Sequence, residues 1–316
     1  MALANPLLGV CKRWGGEPGN VSQSWFAPGQ RRLDQILKRA PELPFDDSSK
    51  IILLSDAHRG DRGMYDEFVP NEDLFVHALS HYAAAGFTYI ELGDGDDLWQ
   101  TPRFSDIEQA YPRVFELLHQ FQRQDRLHLI LGNHEVQGRQ YYRTNKGEWM
   151  IGEGLVLRYI HTGQRLFVVH GHQVDFWCDQ LSLLTQQLVW SAKRGPQRVS
   201  RAASTIAMQQ RRTLIRIVTN IWERWYASQQ QKQTKQMIDW VRSRRQPVIV
   251  GHTHLPMFPN RDDAAYFNTG SCINPGYITG IEIQDGLLRF IKWFTTGDQE
   301  VHYALLAPAR QITELS

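Results

Sequence analysis

Apolar positions along this chain fall into two rhythms. The run Lys50-Ile51-Ile52-Leu53-Leu54 is continuous, the pattern of a strand buried on both faces. Similar short runs at residues 87–92, 127–131 and 247–250 predict three more strands. Between them, residues 70–85 and 105–124 read as helices. The first has Asn71 as N-cap and Gly86 as its stop, and the second is capped by Ser105 or Asp106. Residues 155–160 and 165–169 predict a hairpin across Thr162-Gly163, and residues 264–293 short strands divided by turns such as Gln284-Asp285-Gly286. Within an otherwise irregular first 48 residues, a short helix is predicted over 33–40, stopped by Pro41. Strand–helix alternation followed by strands alone predicts a mixed sheet with helices outside it.

A different pattern fills residues 173–245. Helices are predicted over 176–193, 200–228 and 229–244, the first two divided by Gly195-Pro196. Leu214, Ile215, Val218, Ile221, Trp222, Trp225 and Tyr226 form an apolar stripe at helical spacing. Such a stripe packs an insert against the body; the sharper alternative is a lid over an amphiphilic phosphate ester. Charge separates the same segment: it holds 13 Lys and Arg against 4 Asp and Glu, a net of +9, whereas the rest of the 316-residue chain is net −7. An acidic body suits metal carboxylates, and a basic insert suits an anionic substrate or a peripheral membrane contact. The expected division is an N-terminal extension (1–48), a core (49–172 and 246–300), a basic helical lid (173–245) and a tail (301–316). Three widely spaced cysteines imply neither a disulfide framework nor a zinc finger. No run approaches the roughly 18 apolar residues of a membrane span, and residues 1–14 lack a basic leader region. A cytoplasmic location is expected.

Each predicted strand ends in a polar cluster: Ser55-Asp56-Ala57-His58-Arg59-Gly60, Gly93-Asp94-Gly95-Asp96-Asp97-Leu98-Trp99, Gly132-Asn133-His134-Glu135, His170-Gly171-His172 and Gly251-His252-Thr253-His254. Singly, each has an ordinary explanation as a cap, a turn or a pair of surface histidines. Five in succession, each after a strand, should converge in one crevice at the carboxyl ends of the strands. Carboxylate plus imidazole without thiolate suits divalent Mn, Fe, Zn or Co better than Mg or Ca.

The order D-x-H, G-D-x-x-D, G-N-H-[DE], H-G, G-H-x-H resembles the calcineurin-like metallophosphoesterase superfamily over residues 50–295. The resemblance implies an α/β sandwich of two mixed sheets flanked by helices, and a phosphohydrolase with two divalent ions, Mn2+ being the expected metal. One ion would be held by Asp56, His58, Asp94 and His254, the other by Asp94, Asn133, His170 and His252, with Asp94 shared. A hydroxide between the metals would attack phosphorus. His134 would protonate the leaving oxygen and Asp97 would hold it charged. Arg59 is expected to hold a phosphate oxygen, and His172 to lie behind the ligands or face solvent. Residues Asn268-Thr269-Gly270-Ser271 are similar to the family's Asn-Pro-Gly-Ser turn.

Asp94, Asp97 and Trp99 are shared with the bacterial UDP-2,3-diacylglucosamine pyrophosphatases, which also carry a basic lid. The chain departs from them in Gly95-Asp96, in Glu135 and in the Arg59-Gly60-Asp61-Arg62-Gly63 stretch. It is closer to bacterial phosphoesterases carrying H-R-G-D and E-L-G-D-G-D-[ED]-L-W. The implied partner is a phosphorylated small-molecule or amphiphilic substrate. A protein phosphatase would carry Asp-Arg-Gly where Asp97-Leu98-Trp99 stands. A nuclease is disfavoured by the lack of a nucleic-acid motif, and a non-catalytic scaffold by the intact set of seven ligand types.

Overall fold

The computed structural model describes residues 27–135, 150–175, 227–297 and 299–315. The first helix is α1 (Ala27–Arg39), and β1 (Glu42–Phe45) and β2 (Ile51–Leu54) follow it. Next come α2 (Glu72–Ala84), β3 (Thr88–Leu92), α3 (Phe104–Ala110), α4 (Pro112–Arg123) and β4 (Leu127–Ile130). After β5 (Met150–Gly152), β6 (Gly154–Tyr159) and β7 (Arg165–Val169) comes a helix over residues 227–244, here α5. The chain ends in β8 (Val248–Val250), β9 (Tyr266–Asn268), β10 (Tyr277–Gln284), β11 (Leu287–Thr295), β12 (Val301–Leu305) and β13 (Arg310–Gln311). They build two mixed sheets. The smaller runs β1-β6-β7-β8-β9; the larger runs β12-β11-β10-β2-β3-β4-β5, with β13 paired to β11.

Alternation along the buried strands explains the layering. In β2, Ile51 and Leu53 turn to the smaller sheet, where they meet Leu155, Leu157, Leu166, Val168, Ile249 and Phe267. Ile52 and Leu54 turn the other way, onto Phe75, Leu79 and Tyr82 of α2 and Val114, Leu118 and Phe121 of α4. A third cluster joins Leu33 and Ile36 of α1 and Met237, Trp240 and Val241 of α5 to the outer face of the smaller sheet. The result is helix, sheet, sheet, helix in four layers. Strands β2, β3 and β4 run parallel, as do β7, β8 and β9. Their carboxyl ends therefore carry all five polar clusters to one side.

Several boundaries differ from the sequence expectation. Residues 27–48, expected to be largely irregular, hold α1 and a strand paired parallel with β6. Parts of the expected tail, residues 301–305 and 310–311, are likewise strand, paired to β11. The helix expected over 105–124 is two, because Pro112 lacks an N–H and restricts the residue before it. Asn71 sits at the N-cap position but does not cap. Its amide instead donates to the carbonyls of Cys272 and Asn274, both at 2.7 Å, and its carbonyl accepts from Gly276. Hairpin β6–β7 forms as expected, and Asp285-Gly286 turns β10 into β11 with both residues left-handed, as a two-residue hairpin requires. The predicted helix at 176–193 and all but the last two residues of the one at 200–228 lie outside the described residues; residues 227–228 run unbroken into 229–244 as α5, without the expected division. No described helix is long and apolar enough to cross a membrane.

Trp240 is fully buried beneath the smaller sheet, with its ring N–H donating to Asp34 at 3.0 Å. Trp240→Ala is expected to cost about 3–5 kcal/mol of folding stability, measured by urea unfolding. A loss below ~1 kcal/mol would mean that α5 adds little to the fold.

Candidate metal centre and its acid–imidazole pair

The turns that follow the strands hold the predicted residues in an unusual backbone state. Of ten described non-glycine residues with positive φ, five are Asp56, His58, Asp94, His252 and His254, at φ between 49° and 67°. The left-handed region is uncommon for such residues and persists where surrounding structure enforces it. Here the enforcement is mutual. His252 N–H donates to Asp56 Oδ2 at 3.0 Å, and His134 N–H donates to Asp94 Oδ1 at 2.9 Å. Asp56 N–H donates to the Gly93 carbonyl, and His58 N–H to that of Asp94. Gly132 permits a close approach: a Cβ there would overlap both Asp94 Oδ1 and the Asp94 backbone nitrogen.

The side chains converge in two sets. In one, His254 Nε2 lies 3.1 Å from Asp56 Oδ1 and 3.2 Å from His58 Nε2, and His58 Nε2 lies 3.8 Å from Asp56 Oδ1. In the other, Asp94, His170 and His252 each bring one ligand atom within 4.8 Å of the rest, with His170 Nε2 3.2 Å from Asp94 Oδ2. Asp94 Oδ2 is also 4.0 Å from His58 Nε2 and so lies between the sets. Neighbouring ligands on one ion with bonds of ~2.1 Å stand roughly 3.0–3.5 Å apart, close to several of these spacings. Buried atoms give the decisive test of fit. Among the described residues, Asp56 Oδ1, Asn133 Oδ1 and His170 Nε2 are buried without a hydrogen-bond partner, and the first and third are 3.9 Å apart. Buried lone pairs left unmatched are costly; a cation would satisfy them.

The same carboxylates draw positive charge into the cluster, either a proton on His170 or a cation in that proton's place. Burial opposes charge on His170, but the carboxylates of Asp94 and Asp56 raise it to about 9. Burial would raise Asp56, but the imidazoles of His254 and His170 outweigh it and hold Asp56 down to about 2. His58 falls to about 4, through burial and its neighbour His134, which keeps its ring nitrogen neutral and able to bind a metal. The acids thus create a negative potential at the point where the ligand atoms meet.

His134 stands beside this cluster with a different role. Its Nδ1 is 2.8 Å from Asp97 Oδ1, and its ring stacks on Trp99 with centroids 4.1 Å apart. Trp99 also donates from its ring N–H to the Asn133 carbonyl at 3.0 Å. Burial disfavours the imidazolium, yet Asp94 and Asp97 raise His134 to about 9. The combination His58, Asp97 and His134 also converges; in it Asp97 and His134 already satisfy each other, the arrangement of an acid–imidazole pair. His134 and His254 keep side-chain exposures of 16% and 24%, so the site opens on their side.

Arg59 is a correction. Expected to hold a phosphate oxygen, it is instead wholly buried, its guanidinium donating to both Glu91 oxygens at 2.8 and 2.7 Å and to Asp96 at 2.8 Å. A side chain with that many buried partners cannot reach a substrate. His172 is buried too, which removes its solvent-facing reading. Asn268 braces the site: its amide donates to the Gly251 carbonyl and to Thr253 Oγ1, and Thr269 Oγ1 meets Ser55 Oγ at 2.7 Å.

Sequence reasoning gave no role to two acids. Glu135 accepts hydrogen bonds from the backbone of Asp94, Gly95, Asp96 and Gly132. Burial, then Asp94, Asp96 and Glu91, push it up to about 8, against those donors. Asp175, buried after the short 3-10 turn His172–Val174, faces His252 Nε2 at 3.3 Å. Glu135 closes a motif already noticed, Gly-Asn-His-Glu, whereas Asp175 stands three residues past His170-Gly171-His172, in the segment assigned to the insert; an acid just after a strand-end cluster is the signal that could have found both.

A family model for calcineurin-like phosphoesterases matches residues 49–268. No curated protein matches the chain. Among solved structures, vacuolar protein sorting 29 from Cryptosporidium parvum is similar at 11% identity and TM-score 0.40, covering 84% of this chain and all of that one. The cold-active protein-tyrosine phosphatase of a psychrophilic Shewanella is similar at 11% identity and TM-score 0.34, covering 82% of this chain and 81% of that one.

Arg59→Ala is expected to lower stability by about 3–5 kcal/mol, because it strands two buried carboxylates. Thermal unfolding checks this. An unchanged melting temperature with a raised KM for a phosphoester would restore the substrate-binding role.

Proposed function

This chain belongs to the calcineurin-like phosphoesterase family and is a metal-dependent phosphoesterase, and we propose that it works with a pair of divalent cations. Asp56, His58, Asp94 and His254 would hold one, and Asp94, Asn133, His170 and His252 the other. The observation carrying this reading is that, among the described residues, three of the expected ligand atoms, Asp56 Oδ1, Asn133 Oδ1 and His170 Nε2, are buried without a hydrogen-bond partner. Donors that are carboxylate, amide and imidazole, with no thiolate among them, suit Mn2+, Fe, Zn or Co, and Mn2+ is the cation the family resemblance implies. Bound there, the cations would make a nucleophile of water at neutral pH and draw charge from the phosphoryl oxygens.

The protein groups divide the remaining work. His134, charged by Asp94 and Asp97, would donate a proton from Nε2 to the leaving oxygen. Asp97 fixes the ring through Nδ1, and Trp99 fixes its plane. That leaves Nε2 facing the cluster, 3.9 Å from Asp94 Oδ2. Burial of Asp56, Asp94 and His170 excludes bulk water from the cluster and strengthens each charge interaction. The substrate in this reading is a phosphorylated small or amphiphilic molecule, met by the basic segment 173–245, whose net charge of +9 favours an anion.

His134→Ala should lower kcat about 10²-fold or more on a phosphoester with a poor leaving group, the usual scale of general acid catalysis, while metal content stays the same. An unchanged rate would remove His134 from the reaction. Titration of chelator-stripped protein with Mn2+ should show two bound cations. Asp94→Asn should weaken both and Asn133→Ala only one; equal weakening by the two variants would refute the assignment of ligands.

A further inference from the structure

The described helix that closes the basic insert, α5, is stitched to the metal centre by two amides. Gln230 and Gln233 are three residues apart and so share one helix face. Gln230 Nε2 donates to the carbonyl of Thr253, the residue between His252 and His254, at 2.6 Å. Gln233 Nε2 donates to Asp175 Oδ2 at 2.6 Å, and both residues are buried, 8% exposed each. The same Asp175 oxygen lies 3.3 Å from His252 Nε2. Asp175 thus stands between the insert helix and a histidine of the cluster.

Imidazole has two nitrogens, and a neighbour that accepts a proton from one leaves the lone pair of the other free. With Nε2 of His252 turned to Asp175, Nδ1 is the nitrogen available to the cluster. A carboxylate behind a ligating histidine fixes its tautomer and its ring orientation and raises its basicity. Left alone, a buried carboxylate would swing to any donor within reach. Gln233 removes that freedom by occupying the same oxygen from the far side. His252 is also held in the left-handed backbone state, at φ 67°, so its ring direction rests on contacts rather than on local preference.

We propose that Asp175 is a positioning residue for His252, and that Gln233 of α5 holds Asp175 in place, so that the insert helix sets the affinity of the second cation site. The proposal rests on the two-cation reading above. It extends that reading to residues that touch neither cation nor substrate. It also assigns the insert a role at the metal centre independent of the substrate that the insert meets.

The test uses the full-length protein, stripped with chelator and titrated with Mn2+ alone by calorimetry. Wild-type protein should bind two cations. Asp175→Ala should weaken one of them about 10- to 100-fold, the range usual for such partners, and leave the other unchanged. Asp175→Asn, which keeps an oxygen to accept from Nε2–H, should recover part of the loss. Gln233→Ala should give a smaller loss at the same site. Long-range proton–nitrogen spectra of the histidine rings supply a readout that general loosening would not give: His252 should carry its proton on Nε2 in the wild type and mix tautomers in Asp175→Ala. Wild-type affinity for both cations in Asp175→Ala, or an unchanged His252 tautomer, would overturn the proposal while leaving the two-cation reading intact. Fewer than two cations on the wild-type protein would overturn both.

Discussion

Six carboxylates, those of Asp56, Glu91, Asp94, Asp96, Asp97 and Glu135, are buried within a few turns of one another at the ends of parallel strands. Taking an isolated carboxylate out of water is expensive, so the surrounding structure is arranged around neutralising each one. Asp97 is matched by His134, and Glu91 and Asp96 by Arg59. Glu135 is matched by four backbone N–H groups. Asp56 and Asp94 are left facing imidazoles and one another's loops, and their field is what a divalent ion would answer. Four layers of structure are the means of holding so much charge away from solvent, because only turns pressed between packed sheets and helices can keep the acids from swinging outward.

Arg59 accounts for two motifs that depart from the pyrophosphatase pattern. The arginine after His58 and the acid at 96 belong to one ion pair, and Arg59 and Asp96 are also joined as a backbone bridge. Gly95 completes the set, since a Cβ there would collide with Glu91 and with Arg59. The H-R-G-D and G-D-G-D stretches are therefore one structural device written in two places. It fastens the loop carrying Asp56 and His58 to the loop carrying Asp94 and Asp97, the two that must meet for the centre to form.

Much of this was legible in the sequence, for physical reasons that differ by element. Strand β2 was plain because a strand buried on both faces must be apolar throughout, and the five strand-end clusters were plain because ligand chemistry restricts residue types. The first strand, Glu42–Phe45, was hidden: its exposure alternates around a proline at an edge position, a pattern shared with ordinary loops. The break at Pro112 was visible but outweighed by the apolar spacing around it. Arg59 was misread because its position beside a ligand says nothing of direction, and its partners lie 32 and 37 residues away. Glu135 and Asp175 escaped since neither holds a predicted ligand's role; their importance lies in what they orient, which only distances reveal.

The left-handed turns also decide which substitutions can report on ligation cleanly. At Asp56, Asp94, His58, His252 and His254 the backbone stands where alanine is disfavoured and asparagine is tolerated. Replacing any of them by alanine removes a ligand and releases the turn in the same stroke, so a lost cation and a relaxed loop become inseparable. Asparagine keeps the turn and alters only the donor. In this molecule the customary neutral substitution is the disruptive one, and the polar one is the proper control.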